Sequence, residues 1–337
     1  MAPATSDEFA DDDVKAPEHR NNAWLHAGAC TAKGLRDSNE DQHLLLSDWC
    51  PIPEWPAGLF AVLDGHGGPA VAILASKLLP LKLKAELEAE VDGTACWRHP
   101  KLRRAAVQRA FLALDAQLGS KAVSQRSGST CVAAIVWPED GGGCRVLLAN
   151  LGDSRGLIVC GPGSGVPNLE PGGLVKDTVD HRPDAPQEEA RIMAAGGLVW
   201  DDFGPARVDG DLAMSRAFGD FRLKGDDALP PEEQKVSPMP DVYEFACFAG
   251  DVVVLACDGA FDVMTSHEAA RLAYDELVST GGSPASAAQE VVLHSLRLGT
   301  MDNVTCVVLQ QHSAMPGSLP EPGAGPPEPG ADDFVPR

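Results

Sequence analysis

The chain has 337 residues, 44% of them hydrophobic and 23% charged, enough apolar material for a sizeable core in one large domain or two ordinary ones. Its formal net charge of -22 and pI near 4.7 argue against a nucleic-acid binder, which carries a basic patch. No apolar run approaches the roughly 18 residues that span a bilayer, so no membrane partner is expected.

In chain order, residues 1–21 are acidic and poor in large apolar groups, and are expected to be disordered. They carry neither the basic and apolar regions of a signal peptide nor a myristoylation glycine after Met1. Continuous globular sequence over 22–312 reads as a single domain. Its strand-like runs are "LFAVLD", "STCVAAIVW", "CRVLLANLG", "RGLIVC", "VVVLACD" and "VTCVVLQ", short and bounded by turn residues. "PEDGGG", from Pro138, reads as a hairpin loop joining two of them in antiparallel pairing.

Apolar residues at helical spacing predict helices over Gly68–Leu79 and Leu102–Leu118. Thr265 and Glu268 stand in capping-box positions before a third helix. For a fourth, Ser283 can cap, Pro284 suits the first position and Gly299 can end it. Strands cluster and helices come in pairs, which fits an antiparallel α+β layered domain and is compatible with two sheets and helices outside them. The tail over 313–337 is rich in Pro and Gly and is expected to be a disordered end.

Nine cysteines are scattered without C-x-x-C pairing. Cys131, Cys257 and Cys306 sit inside apolar runs, where a reduced thiol behaves as a small hydrophobe. A reducing compartment, cytoplasm and/or nucleus, and no zinc site are expected.

Two motifs invite misreading. Gly152 to Gly156 fits G-x-S-x-G, the serine nucleophile elbow, but that turn needs a helix after it, and "GLIVCGPGSG" continues as a strand. Cys30 to Arg36 has the C-x5-R spacing of cysteine-based phosphatases, whose loop wraps a phosphate at a helix start. Here Lys33 stands where such loops carry glycine, Asp37 opposes an anion, and no helix follows. Neither Ser154 nor Cys30 is expected to be a nucleophile.

Four segments share a different pattern, an apolar strand abutting a turn with carboxylates: "GLRDSNEDQHLLL", "LFAVLDGHGG", "VVVLACDGAFDV" and "TMDNVTCVVL". Any one could be a turn Asp bonding its own backbone; together they favour a shared site. Clustered carboxylates repel unless a cation neutralises them, and all-oxygen ligands select hard ions such as Mg²⁺ or Mn²⁺. Two such ions can hold a bridging hydroxide and clamp a phosphoryl group. The Gly65 carbonyl is a plausible further ligand, the Arg36 fork suits phosphate oxygens, and His66 could protonate a departing alkoxide.

The sequence resembles the metal-dependent serine/threonine protein phosphatases of the PPM, or type 2C, family. The matching pieces are "RDSNED", "VLDGHGG", "SGST", "ANLGDSR", "DHRP", "EEARIMAAGG", "GDLAMSRAFGD", "ACDGAFDV" and "MDNVT", in that order, from about Asn22 to Gln311. The resemblance implies an α+β fold of four layers, αββα, a central antiparallel β-sandwich flanked by pairs of α-helices, with the metals in a channel at one end of the sandwich. It implies phosphoserine and phosphothreonine proteins as substrates, attack by water without a covalent intermediate, and a chain expected to act as a monomer. Asp64 would bridge both ions, with Asp258 and Asp302 completing one shell and Glu40 with the Gly65 carbonyl the other. Asp41 would orient the metal-bound water, Arg36 grip the phosphate, and His66 act as general acid. Asp153 would join Asp258 and Asp262 around a weaker third ion.

Arg216 is expected to be a structural ion-pair partner and His181 a loop hydrogen-bonder. The loop around Trp49 and Trp55 fits either a partner surface or core packing. Plant-like relatives under hormone-receptor control carry a flap tryptophan; Phe203 stands near that position here, with Trp200 slightly earlier. The rival functions are an inactive family member that binds phosphoproteins as a regulator, and a serine hydrolase using Ser154.

Overall fold

The computed structural model describes residues 14–311 apart from 54, 92, 140–142, 165, 202–203 and 279. Phe203 and the tail over 313–337 lie outside the described residues.

The main strands in chain order are β1 (Glu18–Asn21), β2 (Leu25–Ala32), β3 (Gln42–Leu46), β4 (Gly58–Leu63), β5 (Cys131–Glu139) and β6 (Gly143–Leu151). They continue with β7 (Arg155–Val159), β8 (Leu174–Asp177), β9 (Asp241–Cys247), β10 (Val252–Ala256) and β11 (Val304–Gln311). They form a six-stranded sheet, order β1-β2-β11-β10-β7-β8, and a five-stranded sheet, order β9-β6-β5-β4-β3. All neighbours pair antiparallel. β5 and β6 pair antiparallel as expected of a hairpin, with Glu139 opposite Gly143.

Both faces of both sheets are covered, which is why the strands read as unbroken apolar runs rather than as an alternation of polar and apolar. Along β10, Val252, Val254 and Ala256 pack with the helices α5 (Ser266–Val278) and α6 (Pro284–Arg297). Val253 and Leu255 turn inward to meet Phe60, Val132 and Leu148 of the other sheet. On the far side, Leu59, Ala61 and Leu63 of β4 pack with α1 (Ala70–Glu88) and α2 (Pro100–Leu118). The result is four layers, αββα. Burying one such Leu or Phe side chain is worth roughly 1.5–3 kcal/mol, so the three layer interfaces account for most of the driving force.

The helix caps form as expected. Thr265 and Glu268 exchange backbone-to-side-chain bonds before α5, and Ser283 with Ser286 does the same for α6. α1 departs from expectation by running through Pro80 to Glu88. Proline costs one backbone hydrogen bond, but Ala75, Leu79, Leu83 and Leu87 are all buried on one face, and that packing outweighs it. The Trp loop resolves as core: Trp55 is 3% exposed, stacks on Trp97 at 5.6 Å and meets Trp137 edge-on at 5.2 Å.

The amino-terminal expectation is corrected in part. Disorder was expected through residue 21, yet Glu18–Asn21 forms β1 on the edge of the larger sheet, with Glu18 opposite Ala29. Its side chains are exposed. Backbone pairing with β2, extended by Lys15 N–H to Thr31 O at 3.0 Å, orders a segment whose side chains bury almost nothing.

Candidate active site and metal centre

Antiparallel pairing brings the carboxylates together. Asp64 follows the end of β4, while Glu40 and Asp41 precede the start of its neighbour β3, where Gln42 faces Leu63. Asp258 lies just past the end of β10, and Asp302 just before the start of β11, whose Cys306 faces Ala256. Asp153 sits in the turn between β6 and β7, and Arg155 faces Ala256. All six therefore emerge at the same end of the sandwich.

Side-chain bonds lock these turns. Asn303 donates to the Lys33 and Ser38 carbonyls at 2.7 and 2.9 Å and accepts from Glu40 N–H at 2.9 Å. It thus clips the 33–40 loop to the Asp302 turn. Thr305 donates to Asp41 at 2.7 Å and contacts Thr31, which accepts from Asn39. Gly65 is required because a Cβ there would stand 2.5 Å from the Glu40 carbonyl oxygen. The Glu40 carboxylate also accepts from Gly68 N–H at 2.8 Å.

The electrostatics are those of crowded anions. Burial, with the charges of Asp258, Asp41 and Asp153 around it, pushes Asp64 well above the carboxylate range. Burial, then Asp258 and Asp180, does the same to Asp153. Asp41 is pushed up to about 7 by burial and by Asp258 and Asp302, against the Thr305 bond. Asp258 rises to about 6 through burial and the charges of Asp262 and Asp302. Asp262 is raised by burial and by Asp302. One oxygen each of Asp41, Asp153 and Asp258 is buried without a hydrogen-bond partner. Unpartnered buried oxygens are costly, and a divalent cation would both partner them and neutralise their charge. The donor set, all oxygen, fits Mg²⁺ or Mn²⁺.

Cys257 was expected to act only as a small hydrophobe. Its sulfur lies with one oxygen each of Asp41 and Asp64 in a group spanning no more than 4.8 Å. Burial and the surrounding acids hold its thiol well above the usual range, so it stays protonated and donates to the Asn303 carbonyl at 3.5 Å. Mg²⁺ and Mn²⁺ are hard ions that favour oxygen over sulfur, so the carboxylates beside it, rather than this thiol, are the donors that fit.

Above the carboxylates lies a pocket of about 520 Å³, lined by Arg36, Glu40, Asp64, His66, Arg207 and Asp302 among others. Arg36 is 58% exposed and pairs with Asp302 at 2.6 Å. His66 bonds through Nε2 to Asp220 at 2.6 Å. Pro205, Leu212 and Met214 close one wall. Leu212 and Met214 belong to a small core of their own with Ile192, Val208 and Val236, while Trp200 is 53% exposed. The expected frame residues hold that core in place. Arg216 pairs with Glu188 at 2.6 Å and Asp241 at 3.0 Å. Burial alone would raise Glu188, but Arg216 and Arg191 hold it at about 2. His181 accepts Gly152 N–H at 3.0 Å.

Both decoys fail on geometry. Ser154 is fully buried, its hydroxyl 2.7 Å from Thr130 Oγ1, and β7 follows it rather than a helix. Cys30 is buried in the larger sheet, and burial pushes its thiol up to about 11. Two residues with no role assigned from sequence stand in the site: Asn303, the clip, and Asp220, the partner of His66. A third, Thr130, accepts Asp64 N–H at 3.1 Å and gives its own N–H to the Asp64 carbonyl.

The sequence family described as Protein phosphatase 2C matches residues 25–304. The chain is 33% identical to Protein phosphatase ppm-1.A of Caenorhabditis elegans over 88% of its own length and 61% of the relative's. It is 36% identical to human Probable protein phosphatase 1N over 85% and 60%. It therefore spans about three fifths of these relatives. In solved structures it resembles a phosphatase from Toxoplasma gondii, with TM-score 0.74 and 26% identity over 87% of this chain and 95% of that one. A serine-threonine phosphatase 2C of the same organism gives TM-score 0.69 at 25% identity, over 88% and 99%. Matched family sequence, αββα layers and a carboxylate-floored pocket converge on one conclusion, that the chain belongs to the protein phosphatase 2C family.

Proposed function

We propose that this chain is a metal-dependent protein serine/threonine phosphatase, hydrolysing phosphoserine and phosphothreonine. The observation that carries the reading is the buried acid cluster of Asp41, Asp64, Asp153 and Asp258, with its unpartnered oxygens, beneath a pocket bearing Arg36 and His66. Two Mg²⁺ or Mn²⁺ ions, when bound, supply an activated water and neutralise the phosphoryl oxygens. Asp64 would serve both ions, Asp258 and Asp302 one, and Glu40 with the Gly65 carbonyl the other. Asp153 and Asp262 with Asp258 would hold a weaker third. Asp41, bonded to Thr305, would orient the attacking water. Arg36 would exchange Asp302 for the substrate phosphate, for which its planar fork is suited. His66 would hold the proton that the leaving oxygen takes. Nine free thiols, eight of them buried, support a reducing compartment, cytoplasmic or nuclear.

The test is phosphopeptide hydrolysis with Mn²⁺ and in EDTA. Activity should vanish on chelation, return with metal, be abolished by Asp64→Asn and survive Ser154→Ala. Turnover by Asp64→Asn equal to that of the unaltered protein would refute the reading. Loss of turnover in Ser154→Ala with a folded chain would favour the hydrolase instead.

A further inference from the structure

His66 is held from one side by a structure built for that purpose. Three short segments pair side by side, with His66 opposite Gly128 and Gly128 opposite Gly219. The His66 Nε2 to Asp220 Oδ2 contact, 2.6 Å long, passes over Gly128. A Cβ at that glycine would lie 2.0 Å from the Asp220 oxygen and 2.4 Å from Nε2. Only glycine leaves room for the contact.

Asp220 is fixed in turn. Its side chain is fully buried, and its backbone adopts a left-handed φ of +53°, uncommon for a residue with a side chain. Asp220 N–H donates to the Ser127 carbonyl at 3.1 Å. The preceding Gly219 N–H donates to Asp115 Oδ1 at 2.8 Å. Lys224 bridges Asp115 Oδ2 and the Ala217 carbonyl, both at 2.8 Å, in a pair that is 3% and 4% exposed. A buried ion pair from α2 therefore sets the turn that carries Asp220. Such supports orient a working imidazole by fixing its tautomer.

We propose that Asp220 is the positioning residue of His66: it accepts the Nε2–H and leaves Nδ1 as the nitrogen that serves the substrate. Nδ1 is buried without a hydrogen-bond partner among the described residues, which leaves it as the ring nitrogen free to bond a substrate oxygen, and His66 as a residue lines the pocket. This rests on the phosphatase reading. In the step, the phosphorus–oxygen bond to the seryl or threonyl oxygen breaks and its electron pair stays on that oxygen. The oxygen takes the proton from Nδ1, while the oxygen of the incoming water forms the new bond to phosphorus. The imidazole is left neutral with its Nε2–H on Asp220, and one proton of the resulting dihydrogen phosphate restores the imidazolium.

The experiment compares Asp220→Asn with the unaltered protein, both with Mn²⁺, on a phosphothreonine peptide and on p-nitrophenyl phosphate. Nitrophenolate leaves without needing a proton; the threonyl alkoxide does not. An asparagine amide can donate to Nε2 and force the wrong tautomer. The peptide kcat should fall about 100-fold, the scale of positioned proton transfer, with KM unchanged, and the nitrophenyl rate should fall less than threefold. His66→Ala and the double variant should show equal peptide rates. Equal losses on both substrates, or no loss on either, would overturn the proposal. Nitrogen-15 NMR of the unaltered protein provides a second reading should the variant not fold. A neutral His66 protonated on Nε2 supports the assignment, and one protonated on Nδ1 refutes it. An unaltered protein inactive on both esters would instead defeat the phosphatase reading, with the tautomer still deciding the role of Asp220.

Discussion

Asp258→Asn should stabilise the chelated protein while destroying its response to metal. Asp258 is lifted from 3.8 to about 6, chiefly by burial and then by Asp262 and Asp302. At about 1.4 kcal/mol per pH unit, holding it ionised at pH 8 costs the folded state up to about 3 kcal/mol. The sign follows from proton linkage. Between about pH 4 and 6 the folded state binds more protons than the unfolded chain, so this group's contribution to stability falls as pH rises through that window. Asparagine cannot ionise, yet it is nearly the same size and can still accept the Gly259 N–H. Urea unfolding in EDTA should therefore show the variant about 1–3 kcal/mol more stable than the unaltered protein at pH 8. The gain should shrink to about 0.6 kcal/mol at pH 4, where Asp258 is protonated in the folded state and about two-fifths protonated in the unfolded chain. Adding Mn²⁺ should reverse the order, since ligand binding stabilises only the protein that retains the site. A variant less stable in EDTA at pH 8, or equally stabilised at pH 4 and 8, would refute the crowded-anion account.

Trp55→Ala removes the centre of the Trp97–Trp137 cluster and should cost about 3–5 kcal/mol in urea unfolding, with metal-supported kcat unchanged in the folded fraction. Lys224→Met strands Asp115, which burial already raises. It should cost about 3–5 kcal/mol, and adding Asp115→Asn to that variant should recover part of the loss.

The layers were legible because both faces of the sheets are covered: a strand buried on two sides is a short apolar run, and β4, β5, β6, β7, β10 and β11 are such runs. β2 was not, because its sequence "LHAGACTA" is made of small residues. The structure shows why they are small. Helix α6 crosses so closely that a Cβ on Gly28 would stand 2.1 Å from the Ala285 nitrogen. Close helix contact thus removes the bulky β-branched residues that mark a strand. β9 was missed for a related reason: Asp241, Tyr243 and Glu244 give it a polar look, yet Asp241 pairs with Arg216 and Glu244 with the buried Arg103. Ion pairing across elements leaves no local pattern.

The same distinction divides the site. Its carboxylates could be found from sequence because a charge abutting a buried strand is an anomaly visible within ten residues. Asp220, by contrast, follows a glycine in "AFGD", where an aspartate reads as an ordinary turn former. What separates it from a turn residue is that its oxygen faces His66, 154 positions earlier, across a glycine at 128. Asn303 is similar, since all three of its hydrogen bonds to the 33–40 loop span more than 260 residues. A metal ligand declares itself through its own cost, because unneutralised charge must be explained wherever it sits. A positioning residue has no such cost once its partner is in place, so only the folded chain, where the partner can be seen, makes it recognisable.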